Sequence, residues 1–267
     1  MQTQPRDNSV STIRSVLLHL DATPTSATSL KFACRFALRH EASLSAMFVA
    51  PPSQRPLQNR LYQKPGGAAA ADGLTAVART KSLFDNALAN GGRTMRWLES
   101  NDADTVEAFC RQALYADLLM LGQPDPCATL AGFVESVLIG TDKPALILPF
   151  TGKSKMTSRD VLIGWNATPQ AARAVTAALL WLSSAHRVHV LEADDLAPHY
   201  PGKLDIAQYL QFHGIVPALH RHRASSADAG DALLSFASEV GADLLVMGCY
   251  ATAGPVNSCW ATHRAAC

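Results

Sequence analysis

The residues whose types and spacing suggest chemistry occur twice. Asp21-Ala22-Thr23-Pro24 and Asn166-Ala167-Thr168-Pro169 each follow a short apolar run and precede an Ala-rich amphipathic stretch, at an offset of 145 residues. A second pair of segments, Ala116–Gly122 (ADLLMLG) and Ala242–Gly248 (ADLLVMG), matches at an offset of 126. A carboxylate or amide at a strand end can hydrogen-bond a small polar ligand, and a glycine after a neighbouring strand lets the backbone approach it. The chemistry implied is non-covalent binding at Asp21, Asn166 and the segments after Gly122 and Gly248.

Other constellations are weaker. His220 and His222 share one face of an expected strand at i and i+2, but two ligands fall short of a metal centre, and no metal site is assigned. Asp194-Asp195 reads as a pair of solvated loop acids. Cys249 lies beside the expected site without a basic neighbour in sequence and reads as a buried thiol. The chain has no G-x-S-x-G, no Walker lysine and no Ser/His/Asp set of supporting spacing, so no catalytic residue is assigned and a binding protein, not an enzyme, is expected.

Strand and helix patterns alternate around these residues. In the first repeat strands are expected at Val16–Asp21, Leu44–Val49, Thr94–Leu98, Asp117–Gly122 and Ala145–Pro149, with helices near Ser26–His40, Leu74–Ala89, Asp104–Tyr115 and Phe133–Leu138. The second repeat continues with strands at Val161–Trp165, Val188–Leu191, Val216–His220 and Asp243–Met247. Near-continuous apolar strands alternating with helices predict an α/β fold, two tandem doubly wound, Rossmann-like parallel sheets. Ligands of such sheets bind beyond the carboxyl ends of the strands, where the winding direction switches. The difference of 19 residues between the two offsets fits a long Pro/Gly/Ala loop over Pro51–Gly73. Two homologous domains are expected at 1–150 and 158–250, with a linker over 151–157.

Composition narrows the partners. The chain has 267 residues, 48% hydrophobic and 17% charged, with a net charge of +1, which is material for a large core. With no basic excess or Lys/Arg cluster, nucleic acid is not an expected partner. No apolar run is long enough to span a membrane, the polar N-terminus lacks a signal-peptide pattern, and the six cysteines show no C-x-x-C spacing. A cytoplasmic protein with reduced thiols is expected.

Together LLHLDATP, IGWNATPQAARAV, the two ADLL strands and the LGQPDP segment resemble the tandem two-domain proteins of the universal stress protein superfamily, from Ser15 to Tyr250. That resemblance implies a five-stranded parallel α/β unit in each domain. Some members bind ATP; others lack the phosphate loop and do not. In those that bind, an acidic or amide residue ends the first strand, and a Gly-x2-Gly-x9-Gly-Ser/Thr loop after the fourth strand cradles the phosphates. Carried over, the resemblance places Asn166, Ala167, Met247 and Gly248 at a nucleotide site in domain two, and Asp21, Gly122, Gly140 and Thr141 at a degenerate one in domain one. ATP or another adenine nucleotide, with Mg2+, is the implied ligand. In domain one the loop is interrupted by Pro124 and Pro126, which supply no amide hydrogens, and the preferred reading of Gly140 is a helix C-cap.

Residues 251–267 depart from the family pattern, which expects Gly-His-Ser-Arg after Tyr250, then a helix and a last strand. Loss of one G after the Tyr250 codon is compatible with a restored GHSRARELVLGDASRGM, so the tail reads as a frameshift product; a diverged natural terminus is the alternative. As written, the second domain is expected to lack its last helix and strand. Strand 145–150 would then be left as an apolar edge that promotes self-association.

Overall fold

A computed structural model describes residues 13–21, 23–49, 67–89, 95–100, 104–123, 132–150, 158–193, 204–222 and 229–249. They fall into two units, one within Ile13–Met156 and the other within Thr157–Cys267.

Among the described residues unit one is a five-stranded parallel sheet. Its strands are β1 (Ser15–Leu20), β2 (Ser43–Phe48), β3 (Met95–Glu99), β4 (Leu118–Gly122) and β5 (Ala145–Leu148), in the order β3-β2-β1-β4-β5. Four helices connect them: α1 (Thr25–His40), α2 (Gly67–Ala89), α3 (Thr105–Ala113) and α4 (Phe133–Thr141). The strands are apolar on both faces because helices cover both. Helix α1 buries Ser26, Ser29, Leu30, Ala33, Phe36 and Ala37, a stripe at helical spacing. On the opposite face Leu17, Leu119 and Leu121 pack against Phe109, Phe133, Val134 and Val137 of α3 and α4.

Unit two carries four parallel strands among the described residues: β6 (Asp160–Trp165), β7 (Arg187–Ala193), β8 (Ala218–His222) and β9 (Leu244–Met247), in the order β8-β7-β6-β9. Its helices are α5 (Pro169–Leu182), α6 (Ile206–Phe212) and α7 (Ala229–Glu239). Helix α5 presents Ala171, Val175, Ala178 and Leu182 to the core, joined there by Val161, Ile163, Ile206 and Leu210.

The repeated ADLL segments have a structural reason. Asp117 Oδ2 accepts the backbone N–H groups of Arg14 and Ser15, each at 2.9 Å. Asp243 does the same for Arg159 at 3.1 Å and Asp160 at 3.2 Å. Each carboxylate clamps the start of its sheet's central strand, satisfying donors that would otherwise lack a strand partner.

Several element boundaries differ from expectation, each for a local reason. Helix α2 starts at Gly67 inside the segment expected to be loop, because its run of alanines has high helix propensity. Helix α3 ends at Ala113, and α4 continues to Thr141. Strand β8 starts at Ala218, past Pro217, whose ring nitrogen cannot donate to the ladder.

Candidate functional site

In both units the winding direction switches between the central strand and its neighbour across the crossover, β1 against β4 and β6 against β9. Asp21 and Asn166 end the first member of each pair, and Gly122 and Gly248 stand at the end of the second.

In unit two the turn after β6 is built by its own sequence. Asn166 Oδ1 accepts the Thr168 hydroxyl at 2.8 Å, and Thr168 Oγ1 accepts the Ala171 N–H at 3.3 Å, which caps α5. Pro169 occupies the first helical turn, where its missing donor costs nothing. Ala167 is held at φ 54°, a left-handed conformation that an alanine adopts at a cost of about 1–2 kcal/mol. Gly248 lies against this same turn: a Cβ there would sit 2.6 Å from Ala171 N and 2.9 Å from the Gln170 carbonyl carbon. Only a glycine lets the end of β9 approach the first turn of α5 so closely. The Met247 side chain packs with Leu162, Leu191 and Leu233, so what Met247 can offer a ligand is backbone. Asn166, Ala167 and Gly248 are thus brought to one place, where the end of β9 meets the turn into α5, and Cys249, half-buried, follows Gly248.

Unit one places the equivalent residues differently. Asp21 Oδ1 accepts the Thr23 N–H at 2.9 Å, the Thr23 hydroxyl, and the Ser26 hydroxyl at 2.8 Å. Its backbone carbonyl accepts from Ser26 and, at 3.3 Å, from Thr80 of α2. Its recorded contacts organise the start of α1. A Cβ at Gly122 meets nothing within 4 Å. Gln123, next along, is engaged with the neighbouring strand: its N–H donates to Leu148 O at 2.7 Å and its Oε1 accepts from Phe150 N at 3.3 Å.

Gly140 and Thr141 lie elsewhere. They form the last turn of α4, which runs back from the carboxyl ends of the strands toward their amino ends. Thr141 Oγ1 donates to Val137 O at 2.7 Å, and Lys143 Nζ donates to Leu114 O and Ala116 O at the start of β4. The structure therefore does not bring Gly140 and Thr141 to Asp21 and Gly122. Nor is Gly140 the C-cap; that place falls to Asp142, at φ 53°, while Gly140 lets α4 approach Cys110, whose Sγ would be 3.2 Å from a Cβ.

His19 is a residue that the motifs did not mark. It sits on β1 two residues before Asp21, only 8% exposed, between Phe133 at 4.4 Å and Phe109 at 5.8 Å between ring centroids. Burial pushes its pKa down to about 4, with the Asp21 carboxylate opposing in part, and its Nε2 has no hydrogen-bond partner among the described residues. At the matching place in unit two stands Gly164, against which Leu233 of α7 packs directly. The Asp194-Asp195 pair, Pro124, Pro126 and residues 250–267 lie outside the described residues.

No family model and no curated protein matches the chain. Solved structures do. A universal stress protein from Archaeoglobus fulgidus DSM 4304 aligns over 94% of this chain and 93% of its own, with a TM-score of 0.68 at 14% identity. A functionally unknown protein from Pseudomonas aeruginosa PAO1 aligns over 95% and 90%, with a TM-score of 0.56 at 13% identity. A candidate universal stress protein from Pseudomonas aeruginosa UCBPP-PA14 gives 0.53 at 15% identity, over 95% and 91%. The class defined by fold and switch points is a doubly wound α/β protein with parallel sheets. Within that class, the chain has the fold of the universal stress protein superfamily.

Proposed function

We propose that the chain is a cytoplasmic universal stress protein. It binds an adenine nucleotide in unit two and acts through ligand-dependent contacts rather than turnover. The observation that carries this reading is the close approach of the Gly248 backbone to the turn of Asn166 and Ala167 into α5, at the β6–β9 switch point. An amide side chain offers both a donor and an acceptor, which suits a base edge or a ribose hydroxyl. The main chain at Met247 and Gly248 adds backbone donors and acceptors at the strand ends. These residues fit the nucleoside half of ATP. The phosphates and Mg2+ belong, by the resemblance, to a loop that continues past Cys249, and that segment lies outside the described residues.

Titration of the full chain with Mg-ATP tests the reading, with saturable binding weakened by Asn166→Ala as the expected result. No binding at millimolar nucleotide would overturn it. Resequencing the 3′ end of the gene bears on the same point, because a G restored after the Tyr250 codon would give unit two a Gly-His-Ser-Arg phosphate loop.

Unit one favours a second reading for its own half, a scaffold that does not bind nucleotide. Among the described residues Asp21 Oδ1 accepts from the Thr23 N–H and from the hydroxyls of Thr23 and Ser26, where Asn166 Oδ1 accepts from the Thr168 hydroxyl, and Gln123 is engaged with the end of β5. Self-association through residues 145–150 belongs to this reading, since β5 is the last strand of its sheet and Ile147 is 40% exposed. A single monomeric species in sedimentation velocity at high concentration would count against it.

A further inference from the structure

We infer that His189 and His220 form a two-nitrogen chelate for a divalent transition-metal ion of the Ni2+, Cu2+ or Zn2+ class, with His189 Nδ1 and His220 Nε2 as ligands and water completing the coordination. The spacing of His220 and His222 along one strand directs attention to that pair, but the structure assembles a different one, across two strands. His189 lies on β7 and His220 on β8, the last strand of its sheet, with Leu191 in register opposite His220.

His189 Nδ1 and His220 Nε2 are 3.1 Å apart, and the ring planes are inclined by 31°. Two metal–nitrogen bonds of ~2.05 Å spanning that separation meet at an angle of ~98°. Such an angle lies between the tetrahedral value and the right angle of square-planar or octahedral cis positions. Without a metal, the two nitrogens share one hydrogen between two lone pairs. With one, each ring carries its hydrogen on the other nitrogen and both lone pairs are donated.

The surroundings hold the rings in place. Phe236 of α7 packs on His220 with centroids 4.7 Å apart, and Leu191 and Leu233 form an apolar cluster with Phe236. Packing of this kind limits ring rotation and keeps the two nitrogens close. The cationic Arg187, two residues earlier on β7, is held by Asp160 at 2.6 Å, which compensates its charge. Among the described residues the buried His189 Nε2 has no hydrogen-bond partner, and the polar contact of that ring is the one made by Nδ1. Among the described residues no third His, Cys, Asp or Glu joins the pair, and His220 is partly exposed.

Calorimetric titration of the full chain with NiCl2 tests the assignment on wild type, His189→Phe and His220→Gln. One site in the wild type, weakened about tenfold or more in either variant, is the expected result. If a variant melts early, the wild type alone decides. Substoichiometric Ni2+ should then broaden the His189 and His220 ring signals first in a long-range 1H–15N spectrum. No uptake by the wild type at millimolar NiCl2, unchanged affinity in folded variants, or broadening that begins at other histidines overturns it.

Discussion

Replacing His19 with leucine should remove a defined part of the acid sensitivity of unit one. The ring is buried between Phe109 and Phe133, its Nε2 has no partner among the described residues, and burial lowers its pKa from 6.5 to about 4. Above pH 6.5 neither the folded nor the unfolded chain holds a proton on His19, and the histidine contributes no pH dependence. As the pH falls through 6.5, the unfolded chain takes up a proton that the folded chain refuses until about pH 4. Across that window folding loses about 1.4 kcal/mol per pH unit, reaching roughly 3 kcal/mol where the folded ring finally protonates. The loss saturates below that point.

Leucine has similar bulk and no titrating group, so His19→Leu should match or exceed the wild type near neutral pH, where the orphaned nitrogen costs about 1–3 kcal/mol. The difference between variant and wild type should then widen by roughly 3 kcal/mol down to about pH 4. Urea unfolding of both proteins at several pH values reads this directly. The carboxylates titrate in both proteins and cancel in the difference. A difference that stays constant from neutral pH to about pH 4.5, or an NMR titration of His19 with a midpoint at its ordinary value, would refute the reasoning.

The two strand-end glycines should respond oppositely to substitution. Gly248→Ala places a methyl 2.6 Å from Ala171 N, so α5 or β9 must move, at about 1–3 kcal/mol in thermal or urea melts and with loss of nucleotide binding. Gly122→Ala meets nothing within 4 Å and should change stability by less than about 1 kcal/mol. Thr168→Ala removes the cap of α5 and should cost about 1 kcal/mol, partly restored by Thr168→Ser. Lys143→Met removes a donor to Leu114 O and Ala116 O, and faster hydrogen exchange at the start of β4 is the expected readout.

The parallel sheets were legible because their strands are short apolar runs separated by helical stripes, a pattern that leaves few alternatives. Helix boundaries were less legible where alanine propensity competed with turn residues, as at the start of α2. The Asx-Ala-Thr-Pro repeat correctly marked two strand ends, yet sequence could not tell that Asp21 accepts bonds from Thr23 and Ser26, because Ser26 acts from the first turn of α1. The apparent Gly-Thr of a phosphate loop at Gly140-Thr141 misled for a geometric reason. A helix of nine residues carries its last residue ~12 Å from its first, which is enough to move Gly140 and Thr141 toward the other end of the sheet. His19 carried no signal, since a single polar residue in an apolar strand is marked only by the rings that close over it.

His19 and Gly164 occupy the same position in the two units. In unit two a glycine there admits Leu233 onto β6 and leaves no buried polar atom at that point, while the polar side chain two residues on, Asn166, stands at the turn into α5. In unit one a histidine fills the same place, with the Asp21 charge opposing the loss of its proton affinity. A carboxylate that faces a buried imidazole on one side and organises Thr23 and Ser26 on the other is fixed by internal structure. A ligand would have to displace those bonds to use it. The same framework thus carries at both strand ends a residue whose Oδ1 accepts from the turn that follows it, Asp21 from Thr23 and Ser26 and Asn166 from Thr168. Asp21→Asn should accordingly be read in the stability of unit one, and Asn166→Asp in ligand affinity.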